Sequence, residues 1–380
     1  MSPEYLTNIS SDLVLLYSQI ESRLLMNIAK KISSNKSLFL DGNINDWQLD
    51  RLRQLEGLTK ENARIIAKET GRSVKEVEAI FDRAVKQGTL STEATIGKGV
   101  QKGVLTPVPP INESVTIKSA LSVATSSAKT TLNRMNNTLL GSAGEVYVKA
   151  VNKATSDVLA GVATRQQVMD ETLRVMANNG LTGFVARNGA EWSPEAYTHM
   201  VIRSDVKNTI TEVTNLRIQE AGGNYVEINA YSGARPLCSE DQGQIFSLND
   251  DTTPITDING NAIFPRAWSS STYGQAAGIL GINCGHQQFM FVPEISAYDR
   301  EVIPQKENDA LYQESQQQRY LERQVRQAKR EKDVLVSGGA SKEQINRANR
   351  LVSERQANIR EFTKQTDRRR DYTREKVITA

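Results

Sequence analysis

Cysteine and histidine are almost missing from this sequence, with two of each in 380 residues. Two cysteines exclude a disulfide-built scaffold. Glycine and proline are also scarce, 24 and 10 residues, which leans the chain towards helix. No apolar run exceeds a stretch such as Leu13-Val14-Leu15-Leu16-Tyr17, far below the roughly 20 residues that cross a bilayer, so no membrane partner is expected. The start, Met1-Ser2-Pro3-Glu4, lacks the basic and apolar regions of a cleavable signal, and secretion by that route is not expected. A strong charge of either sign is missing too. Lys plus Arg number 47 against 44 Asp plus Glu, a net +3, which argues against a general nucleic-acid binder. What remains is a long chain, 38% hydrophobic, with room for two or three domains and much exposed surface.

The charge is unevenly placed. Residues 305–380 hold 18 Lys plus Arg and 12 Asp plus Glu, a net +6, which leaves a slightly acidic body. Helical periodicity opens the chain: Leu13, Leu16, Tyr17, Ile20, Leu24, Ile28 and Ile32 recur at spacings of three and four. Further helices are expected around Trp47–Leu55, from Leu58, and from Ser73, where Ser73-Val74-Lys75-Glu76 has the form of a capping box. Periodicity lapses between Gly88 and Asn112, and Pro107, Pro109 and Pro110 suggest a linker. Helix resumes from Ser114 to about Leu159. Thr164-Arg165-Gln166-Gln167 caps another that stops at Asn178-Asn179-Gly180, and Ser193-Pro194-Glu195 starts one that ends at Gly222-Gly223. From Asn224 the period changes to two in Tyr225–Tyr231, with short strands expected at Gln244–Ser247, Ala262–Phe264 and Gln287–Val292. After Pro304 helix returns with Tyr320, Leu321, Val325 and Ala328 on one face. It breaks at Ser337-Gly338-Gly339 and restarts at Ser341, as an antiparallel hairpin would. The expected fold class is α+β and predominantly helical: a small loop-rich mixed module with short antiparallel strands, flanked by N-terminal helices and a C-terminal helical hairpin. The expected division is a helical unit at 1–90, a linker at 91–119, an α+β module at 120–298 and a basic hairpin at 299–380.

Four residues, Cys238, Cys284, His286 and His199, make up the whole stock of cysteine and histidine. Only Cys284 and His286 are close in sequence, whereas finger-type zinc sites use two close pairs. A packed or hydrogen-bonded cluster is therefore favoured, with no metal and no cofactor expected and Cys238, Cys284 and His286 as the metal ligands if that reading fails. A thiol nucleophile drawn from the same residues has no orienting acid or oxyanion hole marked by any motif. Glu240, Asp241, Asp250, Asp251 and Asp257 lack calcium-loop spacing and read as solvated loop carboxylates. No phosphate-binding glycine loop is present. In the basic end, Arg319, Arg323, Arg326 and Arg330 form one helical stripe and Arg368, Arg369 and Arg370 a run. These could meet phosphates or an acidic protein face, although interleaved Glu322, Glu331 and Asp333 favour a solvated face with internal ion pairs.

Two stretches carry a resemblance: Tyr231-Ser232-Gly233-Ala234-Arg235-Pro236-Leu237-Cys238-Ser239-Glu240-Asp241-Gln242-Gly243-Gln244-Ile245-Phe246, and then Gly278-Ile279-Leu280-Gly281-Ile282-Asn283-Cys284-Gly285-His286. Together they resemble the tailed-phage minor capsid protein 2 family, related to the Mu-type head morphogenesis proteins. The helix with Arg203, Asp205, Val206, Thr209 and Asn215, the Gln/Arg-rich stretch from Tyr312 to Arg330 and the N-terminal helices look like their counterparts too. Cys238 stands where the family often shows His, Asp241 where it often shows Trp, and Gly285 where it often shows Arg. The resemblance implies a structural virion component of the phage head, assembled in the host cytoplasm and acting in head assembly or DNA packaging and delivery near the portal. It implies no enzymatic activity. Its partners would be the portal protein and other head proteins, with packaged double-stranded DNA as a further candidate. Arg235, Cys238, Gln242, Gly243, Asn283, Cys284 and His286 would tie loops together, with Gly243 permitting a turn and Asn283 and His286 bridging backbone groups. The competing readings are a genome-associated thiol- or metal-dependent hydrolase and a DNA-binding protein using the basic C-terminal helices.

Overall fold

The computed structural model describes residues 3–299 and 303–377. Its elements in chain order are α1 (Pro3–Ser33), α2 (Lys36–Asp41), α3 (Ile44–Arg53), α4 (Leu55–Gln101), α5 (Val115–Leu159), α6 (Arg165–Asn179), β1 (Phe184–Val185), β2 (Glu191–Trp192) and α7 (Pro194–Glu220). There follow β3 (Tyr225–Ile228), α8 (Pro236–Ser239), β4 (Ile245–Ser247), β5 (Ile255–Thr256), β6 (Ala262–Ile263), β7 (Arg266–Ala267), β8 (Gln288–Phe291), α9 (Gln305–Ser337) and α10 (Lys342–Gln365). The fold is α+β and mostly helix, as expected. The chain forms two compact units, each made of three stretches. One comprises the chain through Asp12, Lys75–Thr130 and His199–Ser315, and the other Leu13–Val74, Thr131–Thr198 and the chain from Gln316 on.

Helix termini follow local chemistry. Thr164 and Gln167 satisfy each other's backbone N–H groups at the start of α6, and Gly180, at φ +69°, closes its end by donating to the Met176 carbonyl. Proline at the first position starts α7 at Pro194, and Ser341 caps α10 by accepting from the Gln344 N–H. Three expected boundaries inside α4 do not occur. The helix starts at Leu55 rather than Leu58, runs unbroken through Ser73, and continues past Gly88 to Gln101. The side chains of Ser73, Val74 and Lys75 lie outside the described residues. Past Gly88, burial of Thr89, Thr92 and Ile96 holds the helix together, which outweighs the modest helix cost of its glycines.

In the unit containing the sheet, the strand order is β7-β4-β3-β8. β3 pairs antiparallel with both β4 and β8, while β7 joins β4 in parallel, so this short-stranded sheet is mixed at one edge. Alternation along β3 sends Val226 and Ile228 into a core with Phe246, Met290, Ile218 and Ala221, completed by Ile96 and by Cys238 and Cys284. On the opposite face Tyr225 meets Ile245, Phe291 and Tyr298, covered by Ile255 and Ile263 of the β5–β6 hairpin. Arg217 in the last turn of α7 is 1% exposed. Its guanidinium donates to both Glu93 carboxylate oxygens at 2.6 Å, to Glu220 at 2.8 Å and to the Pro109 carbonyl at 2.9 Å. One side chain thus fixes α4, α7 and the proline-rich connection.

In the other unit, Leu13, Leu16, Tyr17, Ile20, Leu24, Ile28 and Ile32 of α1 are all buried, the stripe the periodicity expects. Phe39 and Trp47 pack edge to face at 4.7 Å, and the Tyr147 hydroxyl donates to the Arg51 carbonyl at the end of α3. Glu21 is buried and accepts from the Leu181 N–H and from Arg330, each at 3.0 Å. Burial raises its carboxyl pKa, opposed by the Arg330 charge. The expected apolar face of α9 is only half right. Val325 and Ala328 are buried, but Tyr320 is 47% exposed, and Gln318 and Glu322 are buried instead. The reason is the chain after α10. Gln318 both donates to the Arg369 carbonyl and accepts from Arg368, and Lys329 donates to the Glu375 carbonyl, so polar residues face a polar strap.

Replacing Arg217 by Ala leaves the Glu93 and Glu220 carboxylates and the Pro109 carbonyl without their common donor. We expect a loss of about 3 kcal/mol. Arg217→Lys should recover less than half of it, because one ammonium cannot reproduce the planar fork. Urea midpoints of the three proteins check both outcomes.

Candidate functional site

After β3 the chain turns through Tyr231 and Gly233 and enters α8 with Pro236 in its first turn. The N–H groups of Asp241 and Gln242 both donate to the Cys238 carbonyl, and Gly243, at φ +68°, turns back to donate to the Ile228 carbonyl before β4. This left-handed backbone conformation disfavours any side chain. Residues 272–287 run as successive tight turns, with Leu280 and Asn283 both at φ +57°. Asn283 is exposed and contributes this left-handed turn. At Gly278 an added Cβ would lie 2.0 Å from the Thr272 carbonyl oxygen. The two motif stretches converge because β4 and β8 flank β3 on its two sides. The Asn229 N–H donates to the Gln287 carbonyl and the Gln287 N–H to the Asn229 side chain, which brings the two strand ends together.

Cys238, Cys284 and His286 meet in the interior, each at most 1% exposed. The sulfurs are 3.6 Å apart, and Cys284 Sγ is 3.4 Å from His286 Nδ1. The other ring nitrogen, Nε2, lies 3.0 Å from Gln242 Oε1. That oxygen also accepts from the Tyr231 N–H at 3.1 Å, so the Gln242 atom facing the ring is the acceptor and Nε2 carries a proton. The neutral ring therefore turns the lone pair of Nδ1 towards Cys284. Tyr231 stacks on the ring at 4.3 Å. The Leu280 N–H donates to Cys284 Sγ at 3.2 Å, and Cys238 Sγ lies 3.5 Å from the Gly278 carbonyl oxygen. Arg235 donates to the Ile282 and Gly278 carbonyls and sits 3.6 Å from Cys238 Sγ, so it joins the two stretches.

The electrostatics are polarised. The Cys284 thiol is held well below its ordinary pKa by the hydrogen bond from Cys238, with the Lys207 charge acting in the same direction against its burial. Cys238 is pushed up, because its S–H donates to Cys284 and because it is buried. Burial lowers the His286 pKa and favours the neutral ring. Lys207, 3% exposed, donates to the Cys284 carbonyl at 3.0 Å, and burial brings its pKa down to about 8. Lys207 is a site residue that the sequence reading missed. Its one sequence signal is its place on the α7 stripe with Arg203, Ile210 and Thr214, all buried. His199, on α7, is not part of the three-residue cluster.

The loop carboxylates serve local structure. Asp241 is buried, accepts from the Thr272 N–H at 2.7 Å and from its hydroxyl at 2.6 Å, and pairs with Arg266. Asp257 accepts from the Asn259 and Asn261 N–H groups, Asp250 from Ser269 and Asp251 from Thr253. In the basic end, Arg326 pairs with Glu195 at 2.7 Å, Arg330 with Glu21 at 3.0 Å and Arg370 with Glu375 at 2.5 Å, while Arg368 donates to Gln318. Arg319, Arg323 and Arg369 are exposed. The structure thus assembles the cysteine–histidine cluster and disperses the arginine set.

The sequence model of the family described as phage minor capsid protein 2 matches residues 1–364. A protein named "Structural protein" from Lactococcus phage LL-H is 27% identical over 373 residues, covering 96% of this chain and 98% of that protein. No solved structure matches.

Gln242→Leu would strip the buried His286 Nε2–H and the partly buried Tyr231 N–H of their shared acceptor. The expected cost is about 2–4 kcal/mol, read as a lower urea midpoint. Asp205 on α7 gives a pH test, since burial raises its carboxyl pKa to about 6. The folded state holds that proton between the unfolded value and about 6, so this group costs stability as pH rises through that window. Asp205→Asn should raise the urea midpoint at pH ~7.5 and leave it unchanged near pH ~3.5, below the unfolded carboxyl pKa.

Proposed function

This chain belongs to the phage minor capsid protein 2 family, and we propose that it is a head protein placed next to the portal, where it takes part in head assembly and in packaging or delivering DNA. The observation that carries the reading is the extent of the match, residues 1–364, together with a relative named as a structural protein that aligns over nearly its whole length. A role in the virion architecture, without turnover, fits such end-to-end likeness better than a catalytic domain attached to unrelated sequence. In this reading the stretches at 1–90 and 299–380 carry contacts to portal and coat proteins. No described helix is long and apolar enough to cross a membrane.

DNA contact, if the head places this chain against the packaged genome, falls to the exposed part of the basic end. Arg323 and Arg369 are exposed there, whereas Arg326, Arg330, Arg368 and Arg370 are engaged with groups of their own chain.

Cross-linking mass spectrometry on purified full and empty heads tests the placement. We expect cross-links from this chain to portal subunits in both kinds of particle. Absence from particles, or links confined to coat subunits distant from the portal, would contradict it. For DNA, Arg323→Glu/Arg369→Glu should weaken duplex binding by at least about tenfold at low salt and flatten its salt dependence. Unchanged binding would move the DNA contact elsewhere.

A further inference from the structure

We propose that Cys238, Cys284 and His286 bind a divalent metal ion of the zinc class. This goes beyond the head-protein reading and does not depend on it. Sequence spacing argues against a finger-type site, but spacing along the chain matters less than where the donor atoms converge. The three donor atoms all lie within 4.8 Å of one another, and all three residues are buried. For tetrahedral zinc, bond lengths of about 2.3 Å to sulfur and 2.0–2.1 Å to nitrogen set ligand-to-ligand edges of about 3.8 Å for sulfur–sulfur and 3.5 Å for sulfur–nitrogen. The observed separations are 3.6 Å between the sulfurs and 3.4 Å from Cys284 Sγ to His286 Nδ1. A disulfide would require the sulfurs to close to about 2.05 Å.

The surrounding groups are arranged as outer support for a metal site. His286 donates Nε2–H to Gln242 Oε1, which fixes the ring so that its unprotonated nitrogen faces the sulfurs, the usual orientation device for a metal-bound histidine. The Leu280 N–H points at Cys284 Sγ and Arg235 at Cys238 Sγ, donors suited to sulfur carrying negative charge. The positive charges facing the cluster are Arg235 and Lys207, and they do not oppose binding by net charge. Any thiol proton still held by the pair passes to solvent as the ion binds, so dication and two thiolates sum to zero. Lys207 is directed at the Cys284 carbonyl rather than at a ligand atom. Two thiolates and one imidazole favour zinc over the oxygen-seeking cations. Three protein ligands leave one position for a water molecule. The ion would also close the chain between residues 238 and 284, a stretch whose strands are only two or three residues long, and so restrict its unfolded state.

The test uses the full-length protein purified without chelator and measured by elemental analysis. We expect about one zinc per chain. After removal, Co2+ should restore one equivalent and show a thiolate-to-cobalt charge-transfer band. Cys284→Ala and His286→Ala should lose most of the metal. Because those substitutions also remove buried groups of the core, Cys238→His serves as the second arm. It keeps three ligands, so it should retain the metal while its charge-transfer intensity falls by about half. Chelation should lower the Tm of the wild type by at least about 5 °C. The proposal is overturned if neither Zn2+ nor Co2+ binds above the level of Cys238→Ala/Cys284→Ala, if that double variant binds equally well, or if a folded Cys238→His protein loses the metal. A mass lower by two hydrogens, the signature of a Cys238–Cys284 disulfide in the protein as isolated, would overturn it as well.

Discussion

The side-chain oxygen of Gln242 receives two N–H groups, a partly buried one from Tyr231 and a buried one from His286. Tyr231 lies on the exit of β3, Gln242 on the turn after α8, and His286 just before β8, so three segments meet at one acceptor. Buried donors that lose an acceptor cost far more than a formed hydrogen bond contributes, and this makes the arrangement close to all-or-none. Once that oxygen is in place, the histidine tautomer follows, then the direction of Nδ1, and then the convergence of both sulfurs on one point. Asn308 reinforces the same region from the start of α9, accepting from the Ala234 N–H and donating to the Ala234 carbonyl, both at 2.7 Å.

How far the sequence reveals this depends on whether a feature is local. Helix ends are local chemistry, and Thr164, Gly180, Pro194 and Ser341 mark theirs where the structure has them. Helix interiors are not. Ser73-Val74-Lys75-Glu76 has the composition of a start, yet a helix continuing from Leu55 offers its backbone N–H groups carbonyl partners one turn back, and no cap is needed. Likewise α7 shows no clean apolar stripe, because Thr198, Arg203, Lys207, Thr209, Thr211, Thr214 and Arg217 are buried along with its apolar residues. A helix surrounded by protein has lost the amphipathic signal that periodicity detects. The two-residue strands β1, β2, β5 and β7 are beyond periodicity altogether, since alternation needs more residues than they possess.

The site is legible in part for the same reason. Scarcity alone singles out Cys238, Cys284 and His286, and the paired motifs add Arg235, Gln242 and Gly243. What no spacing rule contains is the sheet order β7-β4-β3-β8, which brings residue 238 beside residues 284–286. Lys207 is invisible for a related reason. Its role is a bond to a main-chain carbonyl 77 residues away, and that bond has no side-chain partner type to recognise.

Charge shows the opposite error, in which the sequence overstates what the fold offers. The basic end holds a +6 excess by count. In the fold, Glu375 is 2% exposed beneath Arg370, Glu322 is 3% exposed near Arg374, and Glu21 is 2% exposed under Arg330. These arginines are structural cations that offset carboxylates of the same unit, and at such separations their fields largely cancel beyond a Debye length of about 8 Å. A helical stripe of arginines is therefore not a phosphate-binding stripe by virtue of its spacing. The field that reaches a partner comes from exposed side chains such as Arg323 and Arg369, which are few enough to favour weak, salt-sensitive contact with DNA over tight binding.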